Sequence, residues 1–450
     1  MAWCCSHSEP PRLLPPLRPR QASLAPRYSS LDGLRGYLAL AVFLSHASIW
    51  YFYLRSGTWE VPPANVYTQF GQGSVTLFFM ITGFLFWSKV LDGCQQPIDW
   101  SRLYLSRLFR LGPLYLLTVT CVILVSVCRA GFEWKESSSI VLGQVATWLM
   151  FTIPGIAPVN GFAETVPLAG AVWSLPYEWL FYACLPLGAL CVRASTPLIW
   201  VLFSMAAVMT LAVVMPEVRT PMLYAFAGGI AAACLARIAA VRRTLSQGVW
   251  GGIAVACLAT ILFCFPTAYT LSAILLLTGA FLIIACGNSL YGLLEWPASV
   301  VLGEMAYSLY LLHVLVLFVT YRVVCAEWAA MVSPVEHWAI ALCVVPVLIL
   351  LCFTTFRLIE KAAMDAVPCV AAGPLLLSVL STQGVEQPVR PTHRGRRLTA
   401  AQPLIRVRYR CVTSWFGERN WRSVRQWCPR TNQARRPCRA ETPCLVIPGT

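Results

Sequence analysis

The chain has 450 residues, of which 58% are hydrophobic and only 12% charged, and its mean hydropathy is +0.66. Soluble domains carry roughly 25% charged residues, so this composition excludes an ordinary soluble fold, which would have too little polar surface to present to water. The formal charge of +15 is unevenly placed: residues 1–28 hold four Arg and one Glu, residues 386–450 hold fourteen Arg and three Glu, and the stretch between is close to neutral.

Residues 1–28 are rich in Pro and Arg and contain no apolar run, so they read as a disordered basic tail without the shape of a signal peptide. The first hydrophobic helix then serves as its own insertion signal. Apolar blocks follow at 33–54, 70–90, 108–128, 172–192, 197–215, 221–239, 248–265, 268–286, 299–320 and 338–358. Blocks of about 20 apolar residues match the hydrocarbon thickness of a bilayer. The block at 139–153 is short for a span, and charge decides how to read it. If it only dips into the interface, then Lys89, Arg102, Arg107, Arg110, Arg237, Arg242, Arg243, Arg357, Lys361 and the basic tail all fall on one side, as the positive-inside rule requires. The expected fold is therefore an all-α polytopic membrane protein of about ten transmembrane helices with both termini cytoplasmic. Segment 139–171, with Pro154, Gly155, Pro158, Gly161 and Pro167, becomes an outer re-entrant or interfacial element.

The expected organisation is a disordered N-terminal tail (1–28), a membrane domain (29–365) and a basic, disordered C-terminal tail (366–450). The tail's charge suits a solvated segment near anionic lipid, and with no nucleic-acid module in the chain, nucleic acid is not an expected partner. The nineteen Cys include no Cys-x-x-Cys pair, and many sit inside apolar blocks, where Cys acts as a small hydrophobe. Neither a metal site nor a disulfide framework is expected. No internal repeat is visible, which weighs slightly against a secondary transporter.

Ionisable groups inside spans are costly, and each is a functional hypothesis. Arg35 and His46 are eleven residues apart, almost three helical turns, so they share one face about 16 Å apart along the axis. Arg35 can also be read as a helix-end arginine paired with Asp32, and His46, next to Ser45, as an interhelical hydrogen-bonding residue. Glu178 follows Trp173 and Ser174 about two turns into its span, where it needs a partner or a water-filled cavity, unless it belongs to an aromatic belt at the headgroups. His313 follows Tyr307 and Ser308 and falls more than halfway across its span, where a structural hydrogen bond is the plainer role. Span arithmetic puts His46, Glu178 and His313 in the same outer half of the membrane. Arg107 and Arg110, at i and i+3, share a helix face that could fork onto phosphates or simply be positive-inside charge.

These clusters together resemble the acyltransferase-3 family of membrane-bound acyltransferases of the O-antigen acetylase type, over roughly residues 29–365. The resemblance is carried, in order, by Leu31-Asp32-Gly33-Leu34-Arg35-Gly36 with the spacing to His46, by Gly73-Ser74-Val75-Thr76-Leu77-Phe78-Phe79-Met80-Ile81-Thr82-Gly83, and by Arg107-Leu108-Phe109-Arg110. Trp173-Ser174-Leu175 with Glu178, Tyr307-Ser308-Leu309-Tyr310-Leu311-Leu312-His313 and Phe356-Arg357-Leu358-Ile359-Glu360-Lys361 complete it. Ala306 stands where a Ser is common, and Ala362 where a Pro often follows.

The resemblance implies transfer of an acyl group, usually acetyl from acetyl-CoA, to a hydroxyl of an envelope polysaccharide, a lipid-linked sugar or another hydroxylated acceptor. It also implies a multi-pass protein of a bacterial inner or plasma membrane, no metal, and a requirement for the Arg35–His46 and Arg107–Arg110 pairs. In such chemistry His46 is the expected base, oriented by Glu178, or alternatively a covalent acyl carrier. Arg107 and Arg110, with Arg35, would hold the CoA phosphates. Asp32, Ser45, Trp173, Ser174, Tyr307, Ser308 and His313 are the expected supporting residues. The competing class is a proton-coupled transporter or flippase with His46, Glu178 and His313 as a relay.

Overall fold

The computed structural model describes residues 29–168 and 170–367. The basic tails expected at 1–28 and 366–450 therefore lie outside the described residues, apart from the two at 366–367. All regular structure among the described residues is helical, with one isolated β-bridge between Val159 and Phe162. In chain order the α-helices are α1 (Ser29–Ser56), α2 (Asn65–Asp92), α3 (Trp100–Arg129), α4 (Ser138–Leu149), α5 (Thr165–Leu168), α6 (Leu175–Cys191), α7 (Leu198–Val214), α8 (Thr220–Leu235), α9 (Ala239–Leu245), α10 (Gly248–Cys264), α11 (Leu271–Ala285), α12 (Pro297–Glu304), α13 (Ala306–Val319) and α14 (Pro334–Thr355).

By length and composition five of these helical segments can cross a bilayer: α1, α2, α3, α13 with its continuation to Val324, and α14 with its continuation to Val367. A sixth is possible if α8 and α9, bent by 106°, count as one broken span. The expected ten is a larger number than these criteria support. Each of the ten apolar blocks does contain helix, but α7 and α10 have 17 residues and α11 has 15. At 1.5 Å per residue a helix of this size is about 22–26 Å long, short of a hydrocarbon core about 30 Å thick. The apolar helices nonetheless have the surface of a membrane protein. Of the residues in α7 only Ser204 is buried, and Leu198, Ile199, Met209 and Val213 are exposed.

α1 lies against α2, α12 and α13, and α2 packs most extensively on α8. Glycine makes the first of these contacts possible. A Cβ on Gly303 would stand 1.7 Å from the Asp32 carbonyl oxygen, and one on Gly33 would stand 1.8 Å from that of Leu294. Backbone therefore meets backbone on both sides of this crossing, as small residues allow in membrane helices. The Asp-Gly-Leu-Arg-Gly stretch thus sets how deeply the Arg35 end of α1 seats against the Leu294–Gly303 segment. Gly303→Ala should destabilise the fold by about 3 kcal/mol, the upper end for overpacking, read as a lowered thermal midpoint in detergent. An unchanged midpoint would mean the two backbones are not in contact.

The segment between α3 and α6 holds α4, then an irregular stretch in which Phe151, Thr152 and Asn160 have positive φ. Hydrogen bonds at least partly buried fix it: Trp148 Nε1 donates to the Ala157 carbonyl (2.9 Å), the Tyr115 hydroxyl to the Trp148 carbonyl (2.6 Å), and Asn160 Nδ2 to the Glu133 carbonyl (2.8 Å). An ion pair between Glu164 and Arg322 ties the segment to the π-helical turn Thr320–Val324 that follows α13. This segment forms one wall of the cavity that contains His46.

Candidate active site

Two cavities lie along α1, one near each of the two groups that the helix spacing put on a single face. The first, about 90 Å³, is lined by Arg35 from α1, Arg107 and Arg110 from α3, Glu178 and Tyr182 from α6, Ser174 from the 3₁₀ turn Val172–Ser174, and Tyr307 and Tyr310 from α13. The second, about 300 Å³, is lined by Ser45 and His46 from α1, with Trp59, Gln72, Gly170, Trp173, Arg219, Tyr269 and again Tyr310. Val75 and Tyr310 border both.

Three guanidinium groups face one carboxylate in the first cavity. Arg35 is partly satisfied by Asp32, 3.3 Å away. Among the described residues no carboxylate comes within ion-pair distance of Arg107 or Arg110. Glu178 accepts a hydrogen bond from the Tyr182 hydroxyl at 2.9 Å. The Tyr307 hydroxyl donates to the Leu111 carbonyl at 2.8 Å, fixing α13 against the arginine-bearing helix. A cluster of planar cations with so little negative charge suits a ligand with several anionic oxygens.

The second cavity is organised by a pair of histidines. His313 Nε2 and His46 Nδ1 are 3.2 Å apart, and the ring centroids are 4.9 Å apart. His313 Nδ1 lies 3.0 Å from the Leu309 carbonyl, and His46 Nδ1 lies 3.0 Å from the Val42 carbonyl. A carbonyl only accepts, so His313 Nδ1 carries a proton, and a neutral His313 then presents a bare Nε2. That bare nitrogen accepts from His46 Nδ1–H, so a neutral His46 carries its proton on Nδ1 and presents a bare Nε2. Nε2 faces Gly170, where a Cβ would stand 3.0 Å away, so the glycine keeps the approach to it open. Trp59 stacks on the His46 ring at a centroid distance of 6.2 Å.

Tyr310 separates the two cavities. It is 8% exposed, and its hydroxyl is 2.9 Å from Ser174 Oγ. Its ring stands 5.8 Å from Phe78 and 6.2 Å from His313. A tyrosine hydrogen-bonded to a serine, together with Val75, thus forms the wall between the cationic cavity and the histidine cavity.

The expected site residues therefore divide. Arg35, Arg107, Arg110, Glu178, Ser174 and Tyr307 gather in one cavity, and Ser45, His46 and Trp173 in the other. Asp32 pairs with Arg35, and His313 with His46. Ser308 lines neither cavity, and its hydroxyl donates to Glu360. The structure does not bring Glu178 to His46: the two line different cavities. Glu178 sits in the first turn of α6, facing the arginines, on the far side of the Tyr310 partition, and the ring that meets His46 Nδ1 is His313. Tyr310, quoted in the motif but not among the expected site residues, lies one turn before His313 on the same face of α13. Its importance comes from Ser174, 136 residues away, which no local spacing reveals. Glu360, 1% exposed with Oε2 unpartnered, was also left out of the expected site. Among the described residues no three His, Cys, Asp or Glu side chains gather as metal ligands would.

The sequence profile of the acyltransferase-3 family, described as an acyltransferase domain, matches residues 28–357. A curated relative, the acyltransferase MdmB of Streptomyces mycarofaciens, is 30% identical over 168 residues, covering 36% of this chain. The match spans only 39% of that relative's length. No solved structure matches. With the profile running from the first described helix to the end of α14, and with the apolar helices described above, the chain is a multi-pass membrane protein and belongs to the acyltransferase-3 family.

Proposed function

We propose that the protein transfers an acyl group, acetyl in the first instance, from acyl-CoA to a hydroxyl of a glycan, lipid-linked sugar or similar acceptor. The observation that supports this most is the pair of cavities either side of Tyr310. One has the cations for a phosphorylated donor, and the other has a histidine with a free lone pair for an alcohol. In this reading the alcohol enters the His46 cavity and the thioester reaches it from the arginine side, past Tyr310. His46 Nε2 takes the hydroxyl proton as the alcohol oxygen attacks the thioester carbonyl. The carbon–sulfur bond breaks, and the proton passes from His46 to the departing thiolate, giving an ester and free CoA. His313 holds the His46 tautomer and supports the imidazolium, the role a carboxylate has in hydrolase triads. Arg107 and Arg110, with Arg35, hold donor phosphates, which puts their cavity on the cytoplasmic face of a bacterial plasma membrane. The relay needed for a transporter finds no support here, because Glu178 lies in the other cavity from His46 and His313.

The test is thiol release from acetyl-CoA by the protein in liposomes, with and without hydroxylated acceptors. Acceptor-stimulated release with formation of an alkali-labile ester is expected, and its absence across acyl-CoA donors and acceptor classes would reject the proposal. The partition gives a sharper prediction. Tyr310→Ala joins the two cavities and admits water to the thioester, so acceptor-independent hydrolysis should rise several-fold relative to transfer. Tyr310→Phe keeps the ring and should leave that ratio closer to wild type. Equal ratios in all three proteins would show that Tyr310 is not the barrier.

A further inference from the structure

A third cavity, of about 500 Å³, opens at the turn between α2 and α3 and is lined by Lys89, Arg102 and Arg107 together with Asp92, Asp99 and a short apolar wall at Ile98 and Leu103. Arg107 also lines the inner arginine cavity, so the two spaces share a wall. Both carboxylates are already engaged. Asp92 is paired with Arg237 at 2.5 Å, and the Asp99 side chain caps α3 by accepting from the Arg102 backbone N–H at 2.9 Å. Among the described residues no carboxylate lies within ion-pair distance of Lys89, Arg102 or Arg107. Lys89 and Arg107 each stand over the Phe86 ring, 5.2 and 5.0 Å from its centroid. Three cations around one space, against two carboxylates of which Asp92 is paired with Arg237 and Asp99 is tied to the start of α3, call for an anion.

We propose that this outer cavity binds the phosphorylated nucleotide end of the acyl donor, with Lys89 and Arg102 on its phosphates and Ile98 and Leu103 against its base. The proposal rests on the acyl-CoA reading above and extends it: the donor lies across Arg107, with its nucleotide outside and its pyrophosphate and thioester arm running inward past Arg107. The volume falls within the range of small-molecule sites, and the shared wall favours a ligand long enough to occupy both spaces over a lipid headgroup that stops at the membrane edge.

The experiment is calorimetric titration of the full-length protein in phosphatidylcholine nanodiscs with CoA, and separately with adenosine bisphosphate, the nucleotide end alone. Wild type should bind both. Lys89→Ala/Arg102→Ala should lose adenosine bisphosphate binding and bind CoA about tenfold more weakly or worse, from two lost charge-assisted hydrogen bonds. Lys89 and Arg102 are exposed, so the fold should tolerate both changes, checked by the thermal midpoint. Arg242→Ala/Arg243→Ala, in a separate basic patch at the end of α9, should retain wild-type affinity for both probes. If the Lys89/Arg102 variant bound both probes as wild type does, the outer-cavity assignment would be overturned with the acyl-CoA reading intact. If wild type bound neither probe, the acyl-CoA reading itself would fail and take this inference with it. If the variant differed from wild type only in discs containing phosphatidylglycerol, the cavity would be a lipid-phosphate site and the nucleotide assignment would be wrong.

Discussion

His46→Gln should lower kcat for acyl transfer by about 10²–10⁴-fold, the usual worth of a positioned general base, with a thermal midpoint close to wild type. Gln keeps the polarity and much of the volume of the imidazole but cannot take a proton from an alcohol. The expected loss falls on kcat more than on the KM for donor, because the arginines of the proposed donor cavity line a different cavity from His46. A donor KM that rose in step with the loss would move His46 into the donor site. Full activity in the variant would remove it from the chemistry.

The second large effect is expected at His313. His313→Phe fills the same buried space but leaves His46 Nδ1–H without the ring nitrogen that stands 3.2 Å away. The base is then present but less firmly aimed, and misplacement alone can cost about 10²-fold. A structural role for His313 would also lower activity, so a readout other than rate is needed. Imidazole nitrogen NMR shifts should report His46 as the Nδ1–H tautomer in wild type and as a mixture in His313→Phe. A tautomer unchanged by the substitution would mean that the Val42 carbonyl, 3.0 Å from His46 Nδ1, fixes the ring alone.

Some of this arrangement was legible in the sequence, because helix geometry has few degrees of freedom. Eleven residues fix the separation of Arg35 and His46 along α1, and the two line different cavities at different depths of the same helix. The shared depth of His46 and His313 follows from the same arithmetic, each lying about three residues past the midpoint of its apolar block. Glu178 shows the limit of that reasoning. Depth gives a coordinate along the membrane normal but says nothing of which side of the bundle a residue faces, and Glu178 lines the arginine cavity. The glycines of the Asp-Gly-Leu-Arg-Gly stretch were visible, but their packing partners, Leu294 and Gly303, lie in a segment some 260 residues further along. Helix length does not support the count of ten crossings, because apolar runs are equated there with crossings and several of the helices they form hold only 15–17 residues. The Tyr310–Ser174 partition depends on a contact between distant elements and has no signature in either local sequence.

The most direct test of the central claim follows the acyl group itself. Purified wild type and His46→Gln in liposomes would be given acetyl-CoA labelled in the acetyl carbonyl, with a hydroxylated acceptor fraction. In wild type the label should appear on the acceptor as an ester in step with released thiol, and in His46→Gln that transfer should fall to near background while CoA still binds. Label reaching the acceptor at the same rate in both proteins, or thiol release with no label on any acceptor, would contradict the account.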